Sequence, residues 1–110
     1  MTNDDRNDAI VPRRIVELVA YQEGAVVSRT VLKGETGSVT VFAFDAGQSL
    51  SEHTVPHDAL VHVIDGKAGI TIADQPFTLE AGEMLVMPAN RPHTVCAPER
   101  FKMALTMIRK

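Results

Sequence analysis

The sequence predicts an all-β protein, a single antiparallel sandwich or barrel. Short segments rich in Val, Thr, Ile and Phe, many of them alternating apolar with polar, recur roughly every 8 to 12 residues. Gly- and Pro-bearing turns separate them. No stretch is long enough to supply the helices that a parallel sheet needs on its faces.

The first 13 residues, rich in Asn, Asp and Arg and closed by Pro12, read as a loose N-terminal tail. RIVELVAYQEG follows, with Ile15, Leu18 and Val19 at helical spacing, and reads as a short helix or an edge strand. From Ala25 the strands begin: AVVSRTVLK, the turn GETG, then SVTVFAFD, a hairpin. ALVHVI and KAGITIA flank Asp65-Gly66, a dipeptide that favours hairpin turns, so a second hairpin is expected there. A further turn at Asp74-Gln75 leads into PFTLE. EAGE, MLVMP, ANRP, HTVCA and FKMALTMI then read as turn, strand, loop, strand and strand. One domain is expected over residues 14–110.

Composition excludes several functions. The chain is 110 residues long with 45% hydrophobic and 23% charged residues, the make-up of one folded domain with its own core. A net charge of -3 does not supply the basic face that nucleic acid requires, and the adjacent Arg13 and Arg14 are two charges, not a patch. The polar, acidic start is unlike a secretory signal, and no run approaches the roughly 20 apolar residues that span a bilayer. The expected location is therefore cytoplasmic, with no nucleic-acid or membrane partner. Cys96, the one cysteine, excludes an intrachain disulfide and reads as a small buried hydrophobe. Met84, Met87, Met103 and Met107 fall in strands and read as core gap-fillers.

Three of the four histidines lie within SEHTVPHDALVHVIDG, residues 51–66. Ligand atoms must sit near 2 Å from a transition metal, so the backbone positions that carry them must converge. His53 and His57 are four apart, about 13 Å along a straight strand. Pro56 offers a bend or bulge that would bring them together. Without that bend His57 is a rim histidine. His62, flanked by Val61 and Val63, points outward if His53 points inward, and then packs against a second sheet or another subunit unless a bulge reverses it. His93 opens a strand after Asn90-Arg91-Pro92, and spacing alone does not join it to His53.

These residues resemble a small single-domain cupin. Gly47, His53 and Gly66 match the first cupin motif, and Gly82, Pro88 and His93 match the second. Val55 stands in place of the first motif's second histidine and Ala59 in place of its glutamate. Asn90 replaces the second motif's glycine and Ala97 its asparagine. The resemblance covers about residues 25–108 and implies a jelly-roll barrel of a kind that commonly forms homodimers. LSEHTVP, ITIADQPFTLEAGEMLVMPANRPH and RFKMALTMI look like a bacterial subgroup of unestablished activity.

Two functions follow from the resemblance. In the first, His53, His57 and His93, with His62 as a fourth member to consider, hold a divalent transition metal (Zn, Fe, Mn or Ni) beside a small molecule. No carboxylate completes the two-histidine-one-carboxylate arrangement, because Ala59 occupies its place. Asp58 reads as a turn residue or a solvated charge. In the second, the barrel is a metal-free binding module whose His53 and His93 hydrogen-bond a polar ligand, with Arg91 at the rim.

Overall fold

The computed structural model describes residues 10–109. Most of the expected tail, residues 1–9, lies outside these; residues 10–14 are exposed and carry no helix or strand. RIVELVAYQEG contributes a single 3-10 turn, Ile15–Glu17. Eight strands follow: β1 (Val26–Gly34), β2 (Gly37–Phe44), β3 (Ser49–His53), β4 (Asp58–Ile72), β5 (Gln75–Glu80), β6 (Met84–Met87), β7 (His93–Cys96) and β8 (Phe101–Ile108). All pair antiparallel and form a jelly-roll barrel.

β1 and β2 form the expected hairpin, with Gly34 opposite Gly37. The second hairpin differs from expectation. β4 runs through Asp65-Gly66 without turning, and the register shifts between Val63 and Asp65. Gly66 has φ +75°, and a Cβ there would collide with the Arg100 carbonyl oxygen and lie 2.8 Å from Phe101 Cα. Asp65-Gly66 is thus a bulge, the device that bends a strand and raises its twist. It separates two halves of β4. The first pairs with β8 and β6, the second with β5 and β7. One sheet is therefore β1-β2-β8-β4-β6, the other β5-β4-β7-β3, and β4 joins them. The hairpin turn falls at Ala73-Asp74, where both residues have positive φ (48° and 69°) and Ile72 faces Gln75. That is the two-residue turn whose twist matches the flanking strands.

The core fills the space between the sheets. Phe44 and Phe101, both fully buried, stack with ring centroids 4.5 Å apart, and Val61, Val63, Ile70 and Met103 close around them. Met87 and Met103 are core residues as expected, whereas Met84 is 54% exposed because β6 turns it outward. Cys96 is also exposed, against expectation. Alternation along β7 sends His93 and Val95 inward, leaving Cys96 on the outer face above Gly69, whose missing side chain makes room for the sulfur.

A smaller cluster lies outside the barrel. Residues 14–24 form a strap whose Val19 packs on Val41, Ala43 and Ala104. Polar contacts hold it there: the Tyr21 hydroxyl donates to Asp65 at 2.5 Å, Lys102 Nζ to the Val16 carbonyl at 2.6 Å, and Arg29 to the Leu18 carbonyl at 3.3 Å. Burial first, then the bond to the Asp65 carboxylate, raises the Tyr21 phenol well above its ordinary pKa. Asp45, accepting from Arg100 at 2.7 Å and from the Gly24 amide, is held below the ordinary carboxylate range.

Candidate functional site

His53 ends β3 and His93 opens β7, and the register sets them directly opposite one another. This pairing depends on an irregularity. Leu50 faces Val95 and His53 faces His93, so β3 spends three steps where β7 spends two. The extra residue brings His53 to face the inward-pointing His93. The imidazoles meet edge to face, centroids 4.2 Å apart, with Nε2 to Nε2 at 3.0 Å. His93 is 5% exposed, while His53 is open to solvent.

Each ring turns its other nitrogen to a main-chain carbonyl two residues back. His53 Nδ1 lies 3.0 Å from Ser51 O, and His93 Nδ1 lies 3.3 Å from Arg91 O. A carbonyl only accepts, so these contacts are hydrogen bonds when Nδ1 carries the proton. Both Nε2 atoms then present lone pairs, and two lone pairs at this separation repel unless a cation lies between them. Burial first, and the neighbouring His53, hold the His93 imidazole below its ordinary pKa, which favours the neutral form that binds metal.

The geometry fits a metal ion in part. Two nitrogens each about 2.1 Å from one ion and at right angles to each other lie about 3.0 Å apart. Carbonyls that fix the ring tautomer are the usual outer support of such ligands. Among the described residues, however, no three His, Cys, Asp or Glu side chains are gathered closely enough to hold one ion.

His57 lies on the bend expected near Pro56. The strand stops at His53 and restarts at Asp58, with residues 54–57 outside any strand. The His57 ring is half-buried, and its Nδ1 is a buried polar atom with no hydrogen-bond partner. Such an atom costs about 1–3 kcal/mol unless something satisfies it. His62 is elsewhere: Val61 and Val63 point into the core, and His62 between them is exposed on the outer face. The structure therefore brings His53 and His93 together, places His57 on the adjoining loop, and leaves His62 on the far side of the sheet wall.

Two supporting residues were not legible as such. Asp58 accepts the Ala89 amide at 2.8 Å, and the Asn90 amide donates to Val55 O at 2.8 Å. Together they tie the loop of His57 to the loop that leads into His93. Asn90, at φ +65°, adopts the left-handed conformation that asparagine tolerates better than most residues. The spacing of Asn90 before Pro92 was the available signal.

Comparison with known proteins agrees with this architecture. Residues 40–109 match the family model described as the cupin domain. The structure of a conserved protein of unknown function from Streptococcus pyogenes superposes with a TM-score of 0.88, at 32% identity, covering 92% of this chain and 89% of that one. A cupin superfamily protein from Desulfitobacterium hafniense gives 0.87 at 28% identity, covering 92% and 93%. A cupin 2 conserved barrel domain protein from Leptotrichia buccalis gives 0.83 at 40% identity, covering 86% of this chain but 46% of the other, so this chain spans about half of its length. No functionally curated protein matches. Among the described residues, no helix is long and apolar enough to cross a membrane.

Proposed function

Because this chain belongs to the cupin family, we propose that it binds a divalent transition metal through His53 and His93, with His57 as third ligand, and takes a small molecule at the same mouth of the barrel. The observation that carries this reading is the facing pair of Nε2 atoms at 3.0 Å, each backed by a carbonyl on Nδ1. The unpartnered Nδ1 of His57 supports it, since a small movement of the loop at Pro56 would give that nitrogen a role. An all-imidazole donor set suits Zn, Fe or Ni better than it suits hard, oxygen-seeking cations; Mn remains a candidate to test. A bound ion would supply Lewis acidity and an activated water. The chain's own part is to orient the rings, to keep His93 neutral and dry, and to leave His53 open to an incoming ligand. We place the protein in the cytoplasm as a homodimer, without nucleic-acid or membrane partners.

A metal-free binding module is the second reading, favoured by the lack of a gathered third ligand among the described residues. There His53 and His93 turn their imidazoles to a polar ligand and hydrogen-bond it directly. Metal content by plasma mass spectrometry, on protein purified without chelator and after reconstitution, separates the two. The first reading expects about one ion per chain, lost in His53→Ala and His93→Ala and bound more weakly in His57→Ala. Background metal in the unmutated protein after reconstitution refutes it and leaves the second.

A further inference from the structure

A recess lies outside the barrel, where the start of the strap meets the edge strand β1. Pro12, Arg13, Arg14, Glu17 and Leu18 line a cleft of about 370 Å³ together with Arg29 of β1. A neighbouring cleft of about 420 Å³ shares Arg13, Leu18 and Arg29 with it and is completed by Val11, Thr30 and Val31. Arginines crowd the first, and apolar side chains wall the second. Each is of a size that takes a small molecule. His53 and His93 belong to β3 and β7 of the other sheet, so this recess is independent of the mouth they mark.

Three local features build it. The 3-10 turn at Ile15–Glu17, closed by the Glu17 amide on the Arg14 carbonyl at 3.0 Å, folds the strap so that Arg13, Arg14 and Leu18 line one cleft. Arg29 reaches across from β1 and donates Nη1 to the Leu18 carbonyl at 3.3 Å, which holds its guanidinium at the cleft wall and leaves its other N–H donors for a ligand. β1 also bulges here, its register against β2 shifting between Thr30 and Leu32. A regular strand sends Thr30 to the face opposite Arg29 and Val31. The bulge breaks that alternation, and all three line the second cleft, with Val31 49% exposed.

None of Arg13, Arg14 and Arg29 forms an ion pair among the described residues. The one carboxylate beside them is that of Glu17, so the cleft carries two net positive charges in a chain whose own net charge is -3. Guanidinium groups left without carboxylates hold phosphate through paired N–H···O bonds. A phosphate monoester, with a second pKa of about 6, is close to a dianion at neutral pH and matches the two charges. A single carboxylate would leave one of them unanswered. We propose that this recess binds a free phosphate monoester with a small apolar body, the phosphate on Arg13, Arg14 and Arg29 and the body against Val11, Leu18 and Val31. A lipid headgroup offers the same phosphate, but a chain of net charge -3 is repelled by an anionic bilayer.

Amide chemical shifts of the isotope-labelled full chain, titrated with phenyl phosphate, test this by giving both the location and the affinity. The shifts should fall on residues 11–18 and 29–31, and phenyl phosphate should bind severalfold more tightly than inorganic phosphate, which lacks the apolar body. Arg13→Ala and Arg29→Ala should each weaken it about tenfold, and Glu17→Gln should tighten it by removing the opposing charge. Arg13 makes no side-chain hydrogen bond among the described residues, so its variant separates lost binding from a disturbed strap. Shifts centred on His53 and His93 instead, or affinity unchanged in both arginine variants, would overturn the site. Equal affinity for the two phosphates would overturn the apolar part of the ligand. Co-sedimentation with vesicles of phosphatidylcholine and phosphatidic acid, without any response to phenyl phosphate, would overturn the free ester in favour of the headgroup.

Discussion

Replacing Gly66 by Ala tests the bulge in β4. At φ +75° an alanine carries the left-handed penalty, about 1–2 kcal/mol. Its Cβ would also overlap the Arg100 carbonyl oxygen and approach Phe101 Cα to 2.8 Å and Arg100 C to 2.9 Å. These are backbone atoms of the strand entry that carries Phe101, so relief requires moving β8 against β4, at a further cost of about 1–3 kcal/mol. The sum is about 2–5 kcal/mol. Gly82 is the internal control. Its φ is +95°, but nothing lies within 4 Å of its Cβ position, so Gly82→Ala bears only the conformational part, about 1–2 kcal/mol. Urea denaturation followed by far-UV circular dichroism measures both, since the chain has no tryptophan to report by fluorescence. If Asp65-Gly66 were instead an open hairpin turn, residue 66 would face no backbone and the two variants would cost the same. Equal midpoints would therefore refute the bulge.

Three other outcomes follow from the packing and the ionisation. Tyr21 is the chain's one tyrosine, so tyrosinate absorbance reads it alone. Its folded pKa is raised, so its contribution is complete below the ordinary value near 10 and is lost as pH rises through the folded value. Absorbance should stay flat past the ordinary range until the strap opens, and an unshifted titration would contradict the Tyr21–Asp65 bond. Phe101→Ala removes a fully buried ring stacked on Phe44 and should cost about 3–5 kcal/mol, measured by the same denaturation; a loss under about 1 kcal/mol would mean that the ring is not in the core. In metal-free protein the depressed pKa of His93 gives stability that is present above the ordinary histidine range and lost as pH falls through the lower folded value. His93→Gln should flatten that part of the urea-midpoint profile, and an unchanged slope would assign the titration to another group.

The alternation of Val, Thr and Phe and the Gly and Pro punctuation were enough to identify an all-β chain, the β1–β2 hairpin and the positions of the later strands. These are local properties: side-chain parity and turn chemistry act over two to four residues. The bulge was not legible, because Asp-Gly favours a turn and a bulge alike, and only the backbone of Arg100, 34 residues away, decides between them. Cys96 was misplaced for a related reason. Its parity on β7 is set by which face His93 and Val95 bury, and the room above it by Gly69 on a different strand.

The histidines divide along the same line. Sequence alone determined that His53 and His93 are matched motif positions, that something must bend the chain near Pro56, and that an unbroken count turns His62 away from His53. Only the tertiary structure decided that β3 gains a residue against β7, so that two rings 40 residues apart meet at 3.0 Å. It also decided that His62 lies exposed on the outer face of the sheet, while Val61 and Val63 beside it fill the core. Periodicity fixes the side on which a residue lies within its own strand, but the distance between strands depends on register, and register is set by packing across the whole barrel.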